Sequence, residues 1–298
     1  GLRWDDQTYT GLSSDSQLSP RLSILRRLGE RSELRLSWGR YHQSQGIQEL
    51  QVEDGIDNFW PAQRADHLIA GFRHRFRNDV ALRIEAFHKD MQRVRPRFEN
   101  LYDPLGLIPE LQPDRVRLDP TSAQSAGIEF SFDGERGDWR WWASYTLSKA
   151  TDQINGGDVV RSWDQRHAVQ AGLHWSSGPW DVALAGGAHS GWPTTDLMLE
   201  ETGTGPGGEP VYTAIPGPRN ALSHPPFASV DFRLSRRFDV PRGSLLAFVE
   251  VSNVTNRSNV CCIDWDLEVD EATGEAMLES SNDYWLPILP AIGILWEF

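Results

Sequence analysis

The sequence predicts an all-β protein: an antiparallel up-and-down transmembrane β-barrel, with about twelve strands present. Three observations predict it. Apolar residues recur at every second position over most of the chain, which is the period of a strand. Tight turns and long connections alternate, so all the long connections fall at one end of a meander. Aromatic residues gather at the short-turn ends of the strands. Barrels that span a membrane keep short turns on one side, long loops on the other and an aromatic girdle at the interfaces. A soluble sandwich or propeller has no reason for that asymmetry; its reading of the same aromatics is a buried core cluster.

Strands are expected at 1–10, 18–28 and 32–43, with "GERS" turning the second into the third. The next pair, 64–76 and 79–94, is joined by "RND"; Val80, Leu82, Ile84 and Ala86 share one face, while Arg83, Glu85 and Lys89 take the other. A third pair, 122–133 and 137–150, turns at "GERGDW", with Ala126, Ile128, Phe130 and Phe132 alternating in the first and Trp139, Trp141, Ala143, Tyr145 and Leu147 in the second. Then come 164–176 and 179–191 around "SSGP", and 226–238 and 243–255 around "DVPRG". The last strand, 287–298, sets Ile292, Ile294, Trp296 and Phe298 in one row. The turns are rich in Gly, Asp, Pro and Ser, as hairpins require. The connections 43–63, 95–121, 151–163, 192–225 and 256–286 are long, and "GIQELQVED" in the first of them reads as a helical turn. Phe76, Phe132, Trp139, Trp175, Trp180, Phe238 and Phe298 form the ring at the short-turn ends.

Composition narrows the function. A chain of 298 residues makes one large domain or two small ones. Its mean hydropathy is negative, and no stretch approaches the ~18 apolar residues of a membrane helix. Barrel strands escape that test, since they are ~10 residues long and half of each faces a polar interior. Net charge is −13, which argues against nucleic acid as a partner, because phosphate binding needs a basic face. The opening "GLRWDDQTYT" has no Met, basic region or apolar run, so a leader was cleaved or the chain is a piece of a longer one. "GTGPGG" at 203–208 precedes no helix and is not a phosphate loop. The eight His are scattered, without H-E-x-x-H or C-x-x-C. No cofactor and no metal site is expected.

Five stretches together carry a family resemblance. "LSPRLSILRRLGERSELRLSWGRYHQSQGIQEL" holds a strand opening on S-P-R, "TSAQSAGIEFSF" a small-residue-G-x-E opening, and "WASYTLSKATD" an S-Y-x-x-S-K strand. "ASVDFRLSRRFDVPRGSLLAFVEVSNVTNRSN" holds D-x-R-x-S and an N-x-x-N-R exit, and "GILWEF" ends the chain on G-x-x-aromatic-x-Phe. In this order and spacing the sequence resembles the C-terminal part of the barrel of a TonB-dependent outer-membrane receptor. The resemblance implies residence in the outer membrane of a Gram-negative bacterium and energy-coupled uptake of a scarce bulky nutrient, such as a ferric siderophore or cobalamin, without catalysis. The partners it implies are outer-membrane lipid, the barrel-assembly machinery reading Gly293, Trp296 and Phe298, an extracellular small-molecule ligand, and TonB through a plug domain. It further implies a 22-stranded barrel, so residues 1–298 are expected to be its C-terminal segment without the plug and the first strands; a complete twelve-strand barrel is the alternative. An outer-membrane hydrolase and an adhesin are the rival functions.

Binding residues concentrate on loops held by rigid scaffolds. In "VVRSWDQRHAV", Arg161, Trp163, Asp164, Arg166 and His167 form a compact polar–aromatic group. Arg could hold an anionic chelate and Trp could stack on it; the plainer reading is an Asp–Arg pair bracing the loop. Trp192, with Arg219, Asn220 and His224, frames the longest loop and invites the same two readings. Lumenal charges such as Arg73, Arg83, Glu85, Glu129, Arg140, Asp231, Arg233 and Glu250 are expected to bond one another and a plug. Cys261 and Cys262 are a disulfide candidate of unusual kind, because adjacent Cα atoms, ~3.8 Å apart, lie below the usual ~4.4–6.8 Å range. Asp264, Asp266, Glu268, Asp270 and Glu271 offer hard oxygens to Ca²⁺ but lack the spacing of an EF-hand, so a solvated acidic loop is the reading preferred.

Overall fold

Twelve long strands run through a computed structural model that describes residues 1–7, 15–77, 79–101, 108–112, 114–205, 208, 210–269 and 276–298. They are β1 (Leu2–Gln7), β2 (Asp15–Arg27), β3 (Ser32–Gln43), β4 (Gln63–Arg75), β5 (Ala81–Gln92), β6 (Ser122–Arg136), β7 (Trp139–Ile154), β8 (His167–Ser177), β9 (Trp180–His189), β10 (Phe227–Val240), β11 (Gly243–Ser252) and β12 (Leu289–Glu297). Each pairs with the next in chain order, giving one meandering sheet. Among the described residues β1 and β12 are its two edges, and the sheet does not close on itself.

The register carries the sequence pattern across the whole sheet. Leu34 faces Phe72, Phe72 faces Ile84 and Ile84 faces Phe130. Phe130 faces Tyr145, Tyr145 faces Val169 and Val169 faces Ala188. Further on, Leu234 faces Val249, and Val249 faces Ile292. Every link joins apolar row to apolar row, so one face is apolar from edge to edge. A slip of one residue at any pairing would exchange the two faces. The apolar face is bare: Leu22 is 60% exposed, Ile292 84% and Phe298 97%. The buried residues are mostly polar, with Ala62, Val80, Ala81, Leu118 and Ala123 the apolar ones among those described. A soluble β protein buries such a face, so the core-cluster reading of the aromatics fails.

Small residues on the polar face are matched to large ones. Gly172 lies beneath Trp142 and Gly293 beneath Phe248, each so closely that a Cβ would collide with the ring. The Arg233 guanidinium covers the other side of that pair, 4.2 Å from the Phe248 centroid, and bonds Glu250 at 2.8 Å. The glycine of the terminal motif therefore has a packing role of its own.

The first strand is described over Leu2–Gln7, with Leu2 opposite Pro20, and residues 8–10 of the expected 1–10 lie outside those described. Other expectations change. The 151–163 connection is largely strand. β7 runs to Ile154, turns at Asn155 and Gly156 (φ 51° and 81°) and returns as Gly157–Val160. Asn-Gly is the dipeptide for such a turn, since both residues tolerate positive φ. The other long connections also carry hairpins: Arg97–Asn100 with Arg115–Leu118, Leu197–Thr204 with Pro210–Pro216, and Val260–Val269 with Ala276–Tyr284. "GIQELQVED" forms two single 3₁₀ turns, Ile47–Glu49 and Val52–Asp54, the first held by the Glu49 carboxylate accepting from the Gly46 N–H at 2.7 Å.

Replacing Gly293 by Val is expected to cost the full-length protein about 1–3 kcal/mol through overpacking. Adding Phe248→Ala should recover most of it. Urea midpoints of the protein folded in lipid vesicles, compared across the double-mutant cycle, measure this; no recovery would mean that Phe248 is not the obstacle.

Candidate functional site

The long-loop end is organised around one buried carboxylate. Asp152 lies near the end of β7 and is 2% exposed. Its Oδ1 accepts from Arg161 Nε and Nη2 at 2.9 and 2.8 Å, and its Oδ2 accepts from Arg97 Nη2 at 2.7 Å. Arg97 also pairs with Glu99. Glu99 accepts from the Ser162 hydroxyl at 3.0 Å and is paired with Arg219, whose Nη2 donates to Ser162 Oγ at 2.9 Å. Asn220 closes the net, its Nδ2 donating to the Val160 carbonyl at 2.6 Å and its N–H to Thr195 Oγ1 at 3.1 Å. Three connections, 93–121, 155–166 and 190–226, are thereby tied together.

A second set of bonds docks the 44–62 connection. Arg115 Nε donates to Asp54 Oδ1 at 2.8 Å and Arg115 Nη1 to Asn100 Oδ1 at 2.9 Å. The Gln51 amide pairs with the Phe98 backbone, accepting from its N–H at 2.8 Å and donating to its carbonyl at 3.2 Å. Arg95 Nη1 reaches Glu49 at 3.0 Å. Between these sets lies a cleft of about 630 Å³, walled by Gln51, Arg95, Phe98, Arg161, Trp163 and Asp164, among others.

Charge in the net is held by its surroundings. Burial pushes the Glu99 carboxyl up, but the guanidinium groups of Arg97 and Arg219 outweigh it and leave the group below its ordinary 4.5. The Gly46 N–H, then Arg95, lower Glu49 in the same sense. Asp164 goes the other way: burial raises it above 3.8, against the Ala150 N–H that it accepts at 2.6 Å.

The structure sorts the sequence-predicted residues. Arg161, Arg219 and Asn220 are engaged in the net, and Asp164 caps the β7 backbone. Trp163 is half exposed and meets Trp192 edge to face at 5.0 Å. Trp192 stacks on His189 at 5.2 Å, and His189 on Phe227 at 5.0 Å, forming an aromatic row. Arg166 is exposed, with Nη1 3.4 Å from the Ser148 carbonyl. His167 points elsewhere, to the rim of the apolar face, where its Nδ1 is 2.9 Å from the Tyr145 hydroxyl. His224 is buried, and its N–H donates to the Trp192 carbonyl at 2.9 Å.

Cys261 and Cys262 are not bonded to each other. They lie on an extended strand with a register break between Val260 and Cys262. An extended backbone does not bring adjacent sulfurs together, so the disulfide candidate is not formed. No cluster of three or more His, Cys, Asp or Glu that could hold a metal occurs among the described residues, and Asp270 and Glu271 lie outside them. At the chain end, Trp296 Nε1 donates to the Arg242 carbonyl at 3.0 Å and its ring lies 5.5 Å from that of Phe298. Sequence reasoning missed Asp152, Arg97, Glu99 and Arg95. The available signal was "RVRPRFE", where charges at every second place mark one face of an extended segment.

A family model for the TonB-dependent receptor-like β-barrel matches residues 1–254. The chain belongs to this family. TonB-dependent receptor barrels are transport receptors of the Gram-negative outer membrane. The apolar face is thus the lipid face, the short turns are periplasmic and the long loops extracellular. No curated relative matches the chain in sequence. Among solved structures, it is similar to the ferripyoverdine receptor of the Pseudomonas aeruginosa outer membrane (14% identity, TM-score 0.56, 95% of this chain and 33% of that one). It is also similar to the siderophore receptor PirA of Acinetobacter baumannii (14%, 0.58, 86% and 39%) and to the ferric citrate transporter FecA (14%, 0.56, 95% and 38%). At these identities the likeness establishes the fold, and the chain spans little more than a third of those receptors.

Asp152→Ala strips two guanidinium groups of their shared partner. Breaking a buried pair from one side costs on the order of 3 kcal/mol, so hydrogen exchange in 95–101 and 157–166 of the intact receptor should accelerate about a hundredfold, with the transmembrane strands unchanged. Acid should act on the same loops. A depressed carboxyl stabilises fully above its unfolded pKa, and the contribution is lost as pH falls through the folded value. Docking through Glu99 is therefore expected to persist at pH 5 and above and to weaken below 4.5. Exchange rates at pH 5.5 and 3.5, corrected for intrinsic pH dependence, check it, and Glu99→Gln should flatten the difference.

Proposed function

We propose that this chain forms the C-terminal wall and outer loops of a receptor that takes up a scarce bulky nutrient, a ferric siderophore or cobalamin, by TonB-dependent transport. The family match over residues 1–254 carries the reading. The likeness to siderophore receptors in fold, and the cleft of about 630 Å³ beneath the loops, support it. On this reading the first strands of a 22-stranded barrel and a plug that contacts TonB lie outside the chain. Those strands pair with the open edges of β1 and β12, and the lumenal charges of the wall face the plug. Gly293, Trp296 and Phe298 present the terminal signal to the barrel-assembly machinery.

Within the loops, labour divides. Trp163 and Trp192 offer open ring surface to the ligand, and Arg166 offers an exposed cation. Arg161, Asp164, Arg219 and Asn220 hold the loops in place, and His167 braces the rim.

Deleting the full-length gene should abolish growth on one iron chelate or on cobalamin, tested as a panel under limitation. Trp163→Ala with Trp192→Ala should raise the half-saturating ligand concentration about tenfold at unchanged surface expression, since each lost aromatic contact is worth roughly 0.5–1.5 kcal/mol. Unimpaired growth of the deletion strain on every compound would sink the proposal.

A further inference from the structure

We propose that the periplasmic rim of the lipid face around Arg236 binds the phosphate of an inner-leaflet phospholipid. Arg236 occupies the lipid-facing row of β10, between Leu234 and Phe238. Its cross-strand neighbours are Trp180 on β9 and Ala247 on β11. The guanidinium is 4.8 Å from the ring centroids of both Trp180 and Phe238. Two aromatic faces hold it at the level of the girdle, and Ala247 leaves the space on the third side open. Its neighbours in sequence, on lumenal or turnward positions, have acidic partners: Arg233 has Glu250 at 2.8 Å and Arg237 has Glu297 at 3.1 Å. Arg236 has no carboxylate within ion-pair distance among the described residues. An arginine placed at the edge of hydrocarbon without an acidic partner, and pre-oriented by stacking, offers its donors to an external anion.

The surroundings fix the charge of that anion. The register puts Arg26, across from Leu34, and Arg136, across from Trp139, on the lipid face at the same end of the sheet. Among the described residues the acids of this end point to the lumen or sit in turns: Glu33, Asp133, Glu135, Asp181 and Glu297 all fall on the polar row. A chain of net charge −13 thus shows the inner leaflet a rim of cations alone. The extracellular end of the same face differs, with lipid-facing Asp66 paired to Arg40 at 2.7 Å and Asp90 beside His88 at 3.0 Å. Positive charge selects lipid phosphate at a membrane surface; the extracellular end sets the acids Asp66 and Asp90 on the lipid face with its cations Arg40 and Lys149, whereas among the described residues the periplasmic row holds cations without acids.

The lipid face also has room for the tail. A groove of about 540 Å³ is lined by Val169, Ala171, Leu184, Gly186, Ala188 and Val230, among others. Val230 is six residues above Arg236 on the same strand. At ~3.3 Å per residue and a strand tilt of ~40°, that is roughly 15 Å along the normal, half of a ~30 Å hydrocarbon core. A phospholipid whose phosphate lies on Arg236 reaches this groove with the end of an acyl chain.

Native mass spectrometry of the intact receptor in mild detergent tests the site, with phosphatidylglycerol, lipopolysaccharide and inorganic phosphate as separate probes. The wild type should retain phosphatidylglycerol, Arg236→Gln should bind it at least tenfold more weakly, and the lumenal control Arg237→Gln should match wild type. Millimolar inorganic phosphate should not displace the lipid. Equal retention by R236Q and wild type, equal loss in R237Q, or preference for lipopolysaccharide would overturn the proposal. Should R236Q fail to fold, a photo-crosslinking residue at position 247 of the otherwise wild-type receptor gives an independent readout. A phospholipid adduct there is expected, and its absence would refute the site.

Discussion

Backbone satisfaction in lipid is the constraint on which everything else depends. Hydrocarbon offers no partner to a peptide N–H or carbonyl, so each strand must pair with neighbours along its membrane-spanning length. Eleven antiparallel pairings, from Leu2 opposite Pro20 to Ser244 opposite Glu297, meet that demand between the twelve strands of this wall. The same ladder fixes the side chains. Once the backbone is extended and paired, alternation sends Leu234 and Phe232 to lipid, and Arg233 and Ser235 to the lumen. Stability of the apolar face and polarity of the lumen are two consequences of one register.

The loops obey a different physics. Freed from lipid, they are held by charge-assisted hydrogen bonds around Asp152 and Glu99 rather than by apolar burial. A carboxylate with two guanidinium partners, almost wholly removed from water, gives a strong and directional anchor. It also carries a liability, because the loss of either sign leaves the other buried. The net binds the loops to the end of β7, the most rigid nearby element, and leaves the rings of Trp163 and Trp192 free of polar obligations. Rigid loops with open aromatic surface are what a receptor needs to meet a bulky ligand with little ordering cost.

The two ends of the lipid face differ in charge in the way the two leaflets differ in surroundings. On the extracellular rim Asp66 is paired with Arg40, and Asp90 is hydrogen-bonded to His88. The periplasmic rim keeps Arg26, Arg136 and Arg236, the last between two aromatic rings, without an acid in the row among the described residues. The chain's acidic surplus is therefore a property of its lumen, turns and loops, and net charge says nothing of the surface that touches lipid.

Much of the fold was legible before any coordinate. The strands of 32–43 and 243–255, the tight turns and the girdle follow from local rules, because period-2 alternation assigns each residue a face whatever its partner. The hairpin at Asn155–Gly156 was legible too, from its dipeptide, but the length of the connection hid it. Arg161, Arg219 and Asn220 were visible as polar loop residues, yet their partners were not. Arg97 meets Asp152 across 55 positions of sequence, and Glu99 meets Arg219 across 120. The sequence by itself determined which side chains face lipid and which face the lumen, since that depends only on alternation along an extended chain. Only the tertiary structure decided which loop charges neutralise one another, because that depends on which strand ends the meander brings side by side.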